Sequence, residues 1–359
     1  MRNKERGGAA LVAVLIMLIL VAAGTAIMIV TGKGRIAETD TVPAVINDSS
    51  KAETPDESAP DSQPEPVDSE PEPVKEPAFA EKAVKSEGFK DVDFKKLEMT
   101  TKYNILMDAD SLEIIAGSNY EKKIYPASLT KVMSLIVAIE NVEDTKAKYK
   151  FTDKVVNKLV EDNASVAGFL PDESVTFNDL LYSSILVSGA DGTIGLANIV
   201  AGSEKKFVEL MNKKAEELGL TGTHFTNSSG LHDDDHYSTC KDMGIIMAYA
   251  LQNKTCKKVL SADSYTTSKT EQHPEGITLY SIVAQRLLGY YVDVDGDNSG
   301  DGSIKGGKTG FTDEAGFSLE TFYEYDGKTY IAVNCKSMTN ISSIEDNIAI
   351  YENYVPKKK

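Results

Sequence analysis

The segment YPASLTKVMSLIVAIE, residues 125 to 140, places a lysine in a helix that has no polar face to offer it. Pro126 and the small residues after it form a helix start. The run from Leu129 to Ile139 is apolar almost all the way round, the pattern of a helix buried in a core. An ammonium group in such a place is costly unless it is partnered or gives up its charge. Lys131 lies one turn after Ser128 and shares its face, so the amine can reach the serine oxygen. The fold must therefore bury this helix and still accommodate the lysine at its mouth.

Much of the chain cannot take part in that wrapping. Residues 7 to 32 carry no charge, and about 20 apolar residues suffice to span a bilayer as a helix. Arg2, Lys4 and Arg6 precede the run and argue for a cytoplasmic N-terminus; Lys33 and Arg35 weaken that vote. A signal peptide cleaved near AAGTA is the competing reading. A retained anchor is preferred because the apolar run continues through IMIV, and either reading exports the rest of the chain. From Glu38 to Glu76 there are 12 acidic residues against two lysines, a net −10 of the chain's −17, and the stretch through Pro77 holds eight of the 12 prolines. That composition predicts an extended acidic spacer. The expected division is a cytoplasmic tip and transmembrane anchor at 1–35, a linker at 36–88 and a globular domain at 89–359.

The charge balance also excludes functions. There is no basic patch rich in aromatics and no tryptophan, so no nucleic-acid partner is expected. Three cysteines, Cys240, Cys256 and Cys335, cannot all pair within one chain. Cys240 and Cys335 lie in runs that read as helix and strand interior, and so as buried small hydrophobes; the spacing of the three indicates neither a disulfide framework nor a zinc site. No cofactor and no metal centre are expected.

From about residue 90 apolar runs alternate with turns. YNILMDADSLEIIAG reads as two strands joined at DADS, leading into the Ser128 helix. TFND, residues 176 to 179, is a capping box ahead of a short apolar helix that ends in a turn at Ser188. SEKKFVELMNKKAEELGL starts at a serine cap, puts Phe207, Leu210, Met211, Ala215 and Leu218 on one face and stops at Gly219. A loop-rich middle follows, then three strand-like runs, SIKGGKTGF, GFSLETFYEY and TYIAVNCKS. A capped amphipathic helix, SSIEDNIAIYENYV, closes the chain. Strands at both ends and helices between them predict an α+β domain with one antiparallel sheet and helices packed on it.

Three short motifs carry the chemistry. Ser128-Leu129-Thr130-Lys131 is S-x-x-K, Ser188-Gly189-Ala190 is S-x-N with its third residue changed, and Lys308-Thr309-Gly310 is K-T-G. Each alone is weak. In this order, with 60 and 120 residues between their lead residues, they resemble the penicillin-recognising serine enzymes. Longer segments, including FVELMNKKAEELGLTGTHFTNSSGLHDDDHYSTCKDM and GGKTGFTDEAGFS, resemble the D-alanyl-D-alanine carboxypeptidases, the low-molecular-mass penicillin-binding proteins. The likeness runs over roughly residues 90 to 355. It implies a β-lactamase/transpeptidase-like fold: a five-stranded antiparallel sheet flanked by helices, with a helical subdomain.

An unassisted serine hydroxyl is a poor nucleophile, and a buried lysine can be neutral because desolvation and a nearby cation both lower its pKa. Lys131 fits the base, with Lys308 as the nearby cation. The resemblance implies that Ser128 attacks the carbonyl between the last two D-alanines of a peptidoglycan stem peptide, giving an acyl-enzyme that water hydrolyses, and that β-lactams acylate the same serine. It implies further that Ser188 relays a proton to the leaving amine and that Lys308, Thr309 and Gly310 hold the terminal carboxylate. The backbone N–H groups of Ser128 and Phe311 would form the oxyanion hole, typically worth ~3 kcal/mol per donor. The departure is Ala190, where the family pattern has Asn; Asp191 matches an Asp that follows the motif and need not replace it.

Rival readings remain open at this stage. A catalytically weak peptidoglycan- or β-lactam-binding protein is motivated by Ala190. A β-lactamase would share the fold but needs an E-x-x-L-N segment that is absent. A Ser-His-Asp triad is disfavoured because no G-x-S-x-G elbow occurs. HDDDH, residues 232 to 236, is read as a structural turn, and DVDGDNSGDGS, residues 293 to 303, as an acidic insertion in preference to a calcium loop. Arg286 is a candidate carboxylate contact or a surface residue.

Overall fold

The computed structural model describes residues 78–358. The apolar run at 7–32 and the acidic segment through Pro77 lie outside the described residues. Among the described residues no helix is long and apolar enough to cross a membrane.

The chain opens with a 3-10 turn at Phe79–Lys82 and strands β1 (Lys85–Asp91), β2 (Tyr103–Asp108) and β3 (Ile114–Ser118). Helices α1 (Lys131–Asn141) and α2 (Asp153–Glu161) follow, flanked by the short paired strands β4 (Lys148–Lys150) and β5 (Ser174–Thr176). Next come α3 (Phe177–Leu186), α4 (Ala190–Ala201), α5 (Glu204–Leu218), α6 (Cys240–Gln252) and α7 (Lys254–Leu260). A second small hairpin, β6 (Ser264–Thr266) and β7 (Thr278–Tyr280), precedes α8 (Ile282–Arg286). The chain closes with β8 (Ile304–Gly310), β9 (Phe317–Tyr325), β10 (Lys328–Ser337) and α9 (Asn340–Tyr354).

The main sheet runs β1-β3-β2-β10-β9-β8. Five of its strands form the expected antiparallel sheet, and β1 adds a sixth, parallel to β3. Among the described residues, the 3-10 turn at Phe79–Lys82 and the start of β1 fall within the 36–88 segment expected as linker. β1 escaped the hydrophobic pattern because KSEGFKD is an edge strand with no fully buried residue, joined to the sheet through its backbone. The two central strands are covered on both faces. Ile105, Met107, Ile331 and Val333 face the helical layer, while Leu106, Tyr330 and Ala332 pack beneath Ile350 and Tyr351 of α9. Each fully buried aliphatic side chain contributes about 1.5–3 kcal/mol, and this double coverage makes the strands read as continuous apolar runs.

Local signals set most helix ends. Thr176 and Asp179 form the expected capping box of α3, Ser203 caps α5, and Gly219 ends α5 with φ 79°. α9 differs from expectation: its cap is Thr339, boxed with Ser342, so the helix begins three residues before the Ser-x-x-Glu pattern. The middle of the chain is also less loop-like than it reads, since α6 and α7 occupy residues 240 to 260. α6 packs Ile246 and Met247 into the core against the sheet.

Candidate active site

Ser128 stands on a 3-10 turn, Ala127–Thr130, immediately ahead of α1. Ala127 is held in the left-handed region at φ 48°, a conformation that costs a non-glycine residue about 1 kcal/mol or more and persists only where packing imposes it. Gly230 supplies that packing: a methyl group there would lie 1.8 Å from the Ala127 carbonyl oxygen, so only glycine lets the 227–231 loop press on the turn.

Lys131 Nζ donates to Ser128 Oγ at 3.0 Å and to the Ser229 carbonyl oxygen. The side chain is 2% exposed. Burial pulls its pKa down to about 7, although the carboxylates of Asp191 and Glu204 pull the other way. An amine near neutrality within hydrogen-bond reach of a hydroxyl can take that hydroxyl's proton.

The loop carrying Ser229 is itself fixed. Asn227 Oδ1 accepts the N–H groups of Ser229, Gly230 and Leu231, and Glu204 Oε1 accepts both the N–H and the hydroxyl of Ser228. Ser134 Oγ, on α1, donates to the Ser228 carbonyl at 2.6 Å. His236 is buried between Thr226 N, which donates to Nδ1 at 3.1 Å, and Thr130 Oγ1, 2.7 Å from Nε2. Burial holds its pKa down at about 4, so it is a neutral clamp from the loop to the Ser128 turn. His232 instead lines the cleft, with its ring edge-on to Tyr125. The two end residues of HDDDH thus do separate jobs.

On the opposite side, Ser188 sits in the turn between α3 and α4 at φ 59°. Lys308 Nζ donates to Ser188 Oγ and to the Thr309 carbonyl, each at 2.9 Å. Lys308 is 1% exposed. Burial pushes its pKa down, Lys131 and Arg286 press the same way, and Glu320 opposes them. Glu320 faces Lys308 across the β8–β9 ladder and is fully buried, with neither carboxylate oxygen hydrogen-bonded among the described residues. Burial pushes its carboxyl pKa up. Burial thus disfavours the charged form of both groups. An anion arriving at Lys308 would favour the ammonium.

β8 delivers its C-terminal end to the Ser128 turn. A methyl group at Gly310 would stand 2.9 Å from the Pro126 carbonyl oxygen and 3.3 Å from Ser128 N, a closeness that glycine alone accommodates. Thr309 is buried beside it. Phe311 follows, half exposed and stacked on Phe317 at 4.4 Å between ring centres. Arg286 closes α8 and is half-buried, and burial lowers its pKa.

The cleft between these walls has a volume of about 640 Å³ and is lined by Ser128, Lys131, Asn163–Ser165, Ala190, Ser229 and Phe311–Glu314, among others. Of the sequence-predicted residues, Ser128, Lys131 and Phe311 line it, whereas Ser188, Lys308, Thr309 and Gly310 do not. Ser188 bonds to Lys308, and Lys308 joins it to the sheet side of the site. Ala190 presents a methyl group to the cleft, while its backbone N–H donates to the Ser165 carbonyl at 2.7 Å. Asp191 does not replace a missing amide there: its carboxylate accepts from the N–H groups of Ala167, Gly168 and Gly192.

Three contributors lay outside the sequence reading: the Ser229 carbonyl, Glu204 and Glu320. Only Glu320 left a trace, as a lone acid at an inward position of GFSLETFYEY. The acidic insertion folds onto itself, with Asp293, Asp297 and Asp301 accepting N–H groups of their own loop. Carboxylate oxygens of Asp293, Asp295 and Asp297 come within 4.8 Å of one another. The three cysteines are buried thiols.

With this geometry in hand, the comparisons with known proteins agree on one group. The family model for D-alanyl-D-alanine carboxypeptidase matches residues 90–338. The chain is 32% identical over 243 residues to the D-alanyl-D-alanine carboxypeptidase DacF of Bacillus subtilis, covering 66% of this chain and 58% of that one. It is 38% identical over 150 residues to DacC of Escherichia coli, covering 40% and 37%. The chain spans about half the length of the curated relatives it matches. Among solved structures, a Streptomyces DD-transpeptidase superposes with a TM-score of 0.63 at 26% identity, covering 71% of this chain and 97% of that one.

Proposed function

The chain belongs to the D-alanyl-D-alanine carboxypeptidase family, and from that premise we propose that it is a serine-type carboxypeptidase removing the terminal D-alanine from peptidoglycan stem peptides. The observation that carries this reading is the Lys131 amine 3.0 Å from Ser128 Oγ, buried and with its pKa pulled to about 7. Neutral Lys131 takes the Ser128 proton as Oγ attacks the penultimate D-alanine carbonyl. The oxyanion is met by the N–H groups of Ser128 and Phe311. The C–N bond then breaks, and the proton held by Lys131 passes to the leaving amine by way of Ser188, which leaves the lysine neutral again. Water, deprotonated by the same lysine, releases the shortened peptide and frees Ser128. Lys308 and Thr309 hold the terminal carboxylate, with Gly310 giving it access to the serine turn.

β-Lactams would acylate Ser128 by the same attack. The catalytic domain would lie outside the cytoplasm, anchored through the uncharged run at 7–32, which is long enough to span a bilayer. Fractionation of membranes from cells expressing the full chain tests the anchor: release by carbonate washing would overturn it.

The catalytic reading is tested by incubating the full chain with a fluorescent penicillin and with a stem pentapeptide, comparing wild type with Ser128→Ala. Labelling and D-alanine release, both lost in the variant, are expected. Labelling without release would leave a penicillin-binding protein that does not turn over. Absence of labelling would overturn the assignment of Ser128.

A further inference from the structure

Behind the Ala190 wall lies a second cavity of about 460 Å³, and it is chemically unlike the cleft. Its apolar lining comes from Val155 and Leu159 of α2, Ala190 and Ile194 of α4, and Leu231. Most of its polar neighbours are already engaged. Asp162 is paired with Lys158, Glu204 holds Ser228, and Asn227 caps its own loop through Oδ1 while Nδ2 donates to the Leu231 carbonyl. Lys154 also lines the space, exposed and without a partner among the described residues; the rest of the lining leaves a ligand little hydrogen-bonding demand, so its inner surface favours apolar atoms. The two cavities share Asp162, Ala190, Ser229 and Leu231 in their linings, so they adjoin along these four residues, of which Ala190 has the smallest side chain.

We infer that this cavity is a specificity pocket for an apolar substituent on the acyl-donor half of the substrate, entered past Ala190. The inference rests on the catalytic reading above, since it takes Ser128 as the acylated atom and Lys308 as the carboxylate holder. The half of the substrate follows from the walls. The carboxylate-holding residues are on β8, and no residue of β8 or of the 311–314 segment lines the second cavity. What enters must therefore be attached on the far side of the scissile bond from the terminal carboxylate. Ala190 is the doorway because any longer polar side chain there would stand between the two spaces and bring an amide or hydroxyl into an apolar passage.

The test uses the full chain and a series of N-acyl-D-alanyl-D-alanines running from acetyl to hexanoyl, with both D-alanine release and Ser128 acylation by mass spectrometry as readouts. In the wild type kcat/KM should rise roughly tenfold or more across the series as methylenes leave water. Ala190→Asn and Ile194→Asp should each reduce the hexanoyl-to-acetyl ratio to near unity, and Ile194→Leu should retain it. Thermal melts identify any variant that does not fold, in which case the wild-type series alone decides. A flat wild-type series with Ser128 still acylated overturns the pocket and leaves the catalytic reading standing. A ratio that survives both Ala190→Asn and Ile194→Asp overturns it as well. Failure of every substrate and of penicillin to acylate Ser128 overturns the catalytic reading, and the pocket with it.

Discussion

Lys131 and Lys308 are withdrawn from solvent to nearly the same degree, at 2% and 1% exposure, and burial lowers the pKa of both. Their neighbours differ. Lys131 sits at the mouth of α1 between a serine hydroxyl and a backbone carbonyl, with the nearest opposing carboxylates committed to backbone or hydroxyl groups of other loops. Lys308 lies on a strand with Glu320 opposite it, a buried carboxyl with no hydrogen bond among the described residues. Equal burial therefore produces unequal chemistry. The helix lysine is poised to lose and regain a proton near neutrality, and the strand lysine is placed where an arriving anion would favour its ammonium form.

Removing each amine should separate the two roles. Lys131→Met takes away the base and should cut the rate of β-lactam acylation by roughly 10³-fold, with kcat falling more than KM rises. Acylation at the wild-type rate would end the distinction. Lys308→Ala removes a charge-assisted contact and should cost about a hundredfold, mainly in KM for a substrate with a free terminal carboxylate. The corresponding amide should feel much less of the change. Glu320→Gln should weaken binding of the carboxylate substrate by roughly tenfold, the equivalent of about one pKa unit at Lys308. It should leave the pH midpoint of acylation in place, because that midpoint belongs to Lys131. A shifted midpoint would mean that the two lysines titrate as one system.

The pH profile gives the finest resolution. The reactive form of Lys131 is the neutral one, so protonation below about pH 7 removes it. Acylation should rise about tenfold per unit as pH increases towards that value and then level off. A rate that falls over the same range would assign the reactive form to the ammonium and reverse the comparison.

The Ser128–Lys131 contact was legible because the relation is local. Ser128 and Lys131 are three residues apart on one helical face, and an apolar surround makes the lysine conspicuous. The capping box at Thr176 and the glycine stop at 219 were legible for the same reason. α9 shows the limit of local reading. Both Thr339 and Ser342 satisfy cap chemistry, and Thr339 takes the position because it is still extended, at φ −137°, where the chain leaves β10. β1 was missed because an edge strand can be held by backbone pairing without an apolar face.

The sequence by itself determined that a lysine would be buried beside a serine and that strands at both ends would enclose a helical middle. These follow from helix and strand periodicity and from residue types, which act within one turn or one strand. Tertiary structure alone decided that Ser188 bonds to Lys308, 120 residues away, and that the Ser229 carbonyl holds Lys131. It also decided that Glu320 lies opposite Lys308 and that the Ala190 methyl group adjoins an apolar cavity. Each of these depends on which surfaces meet when the sheet and helices pack, and burial sets the charge of a group only after that meeting has taken its water away.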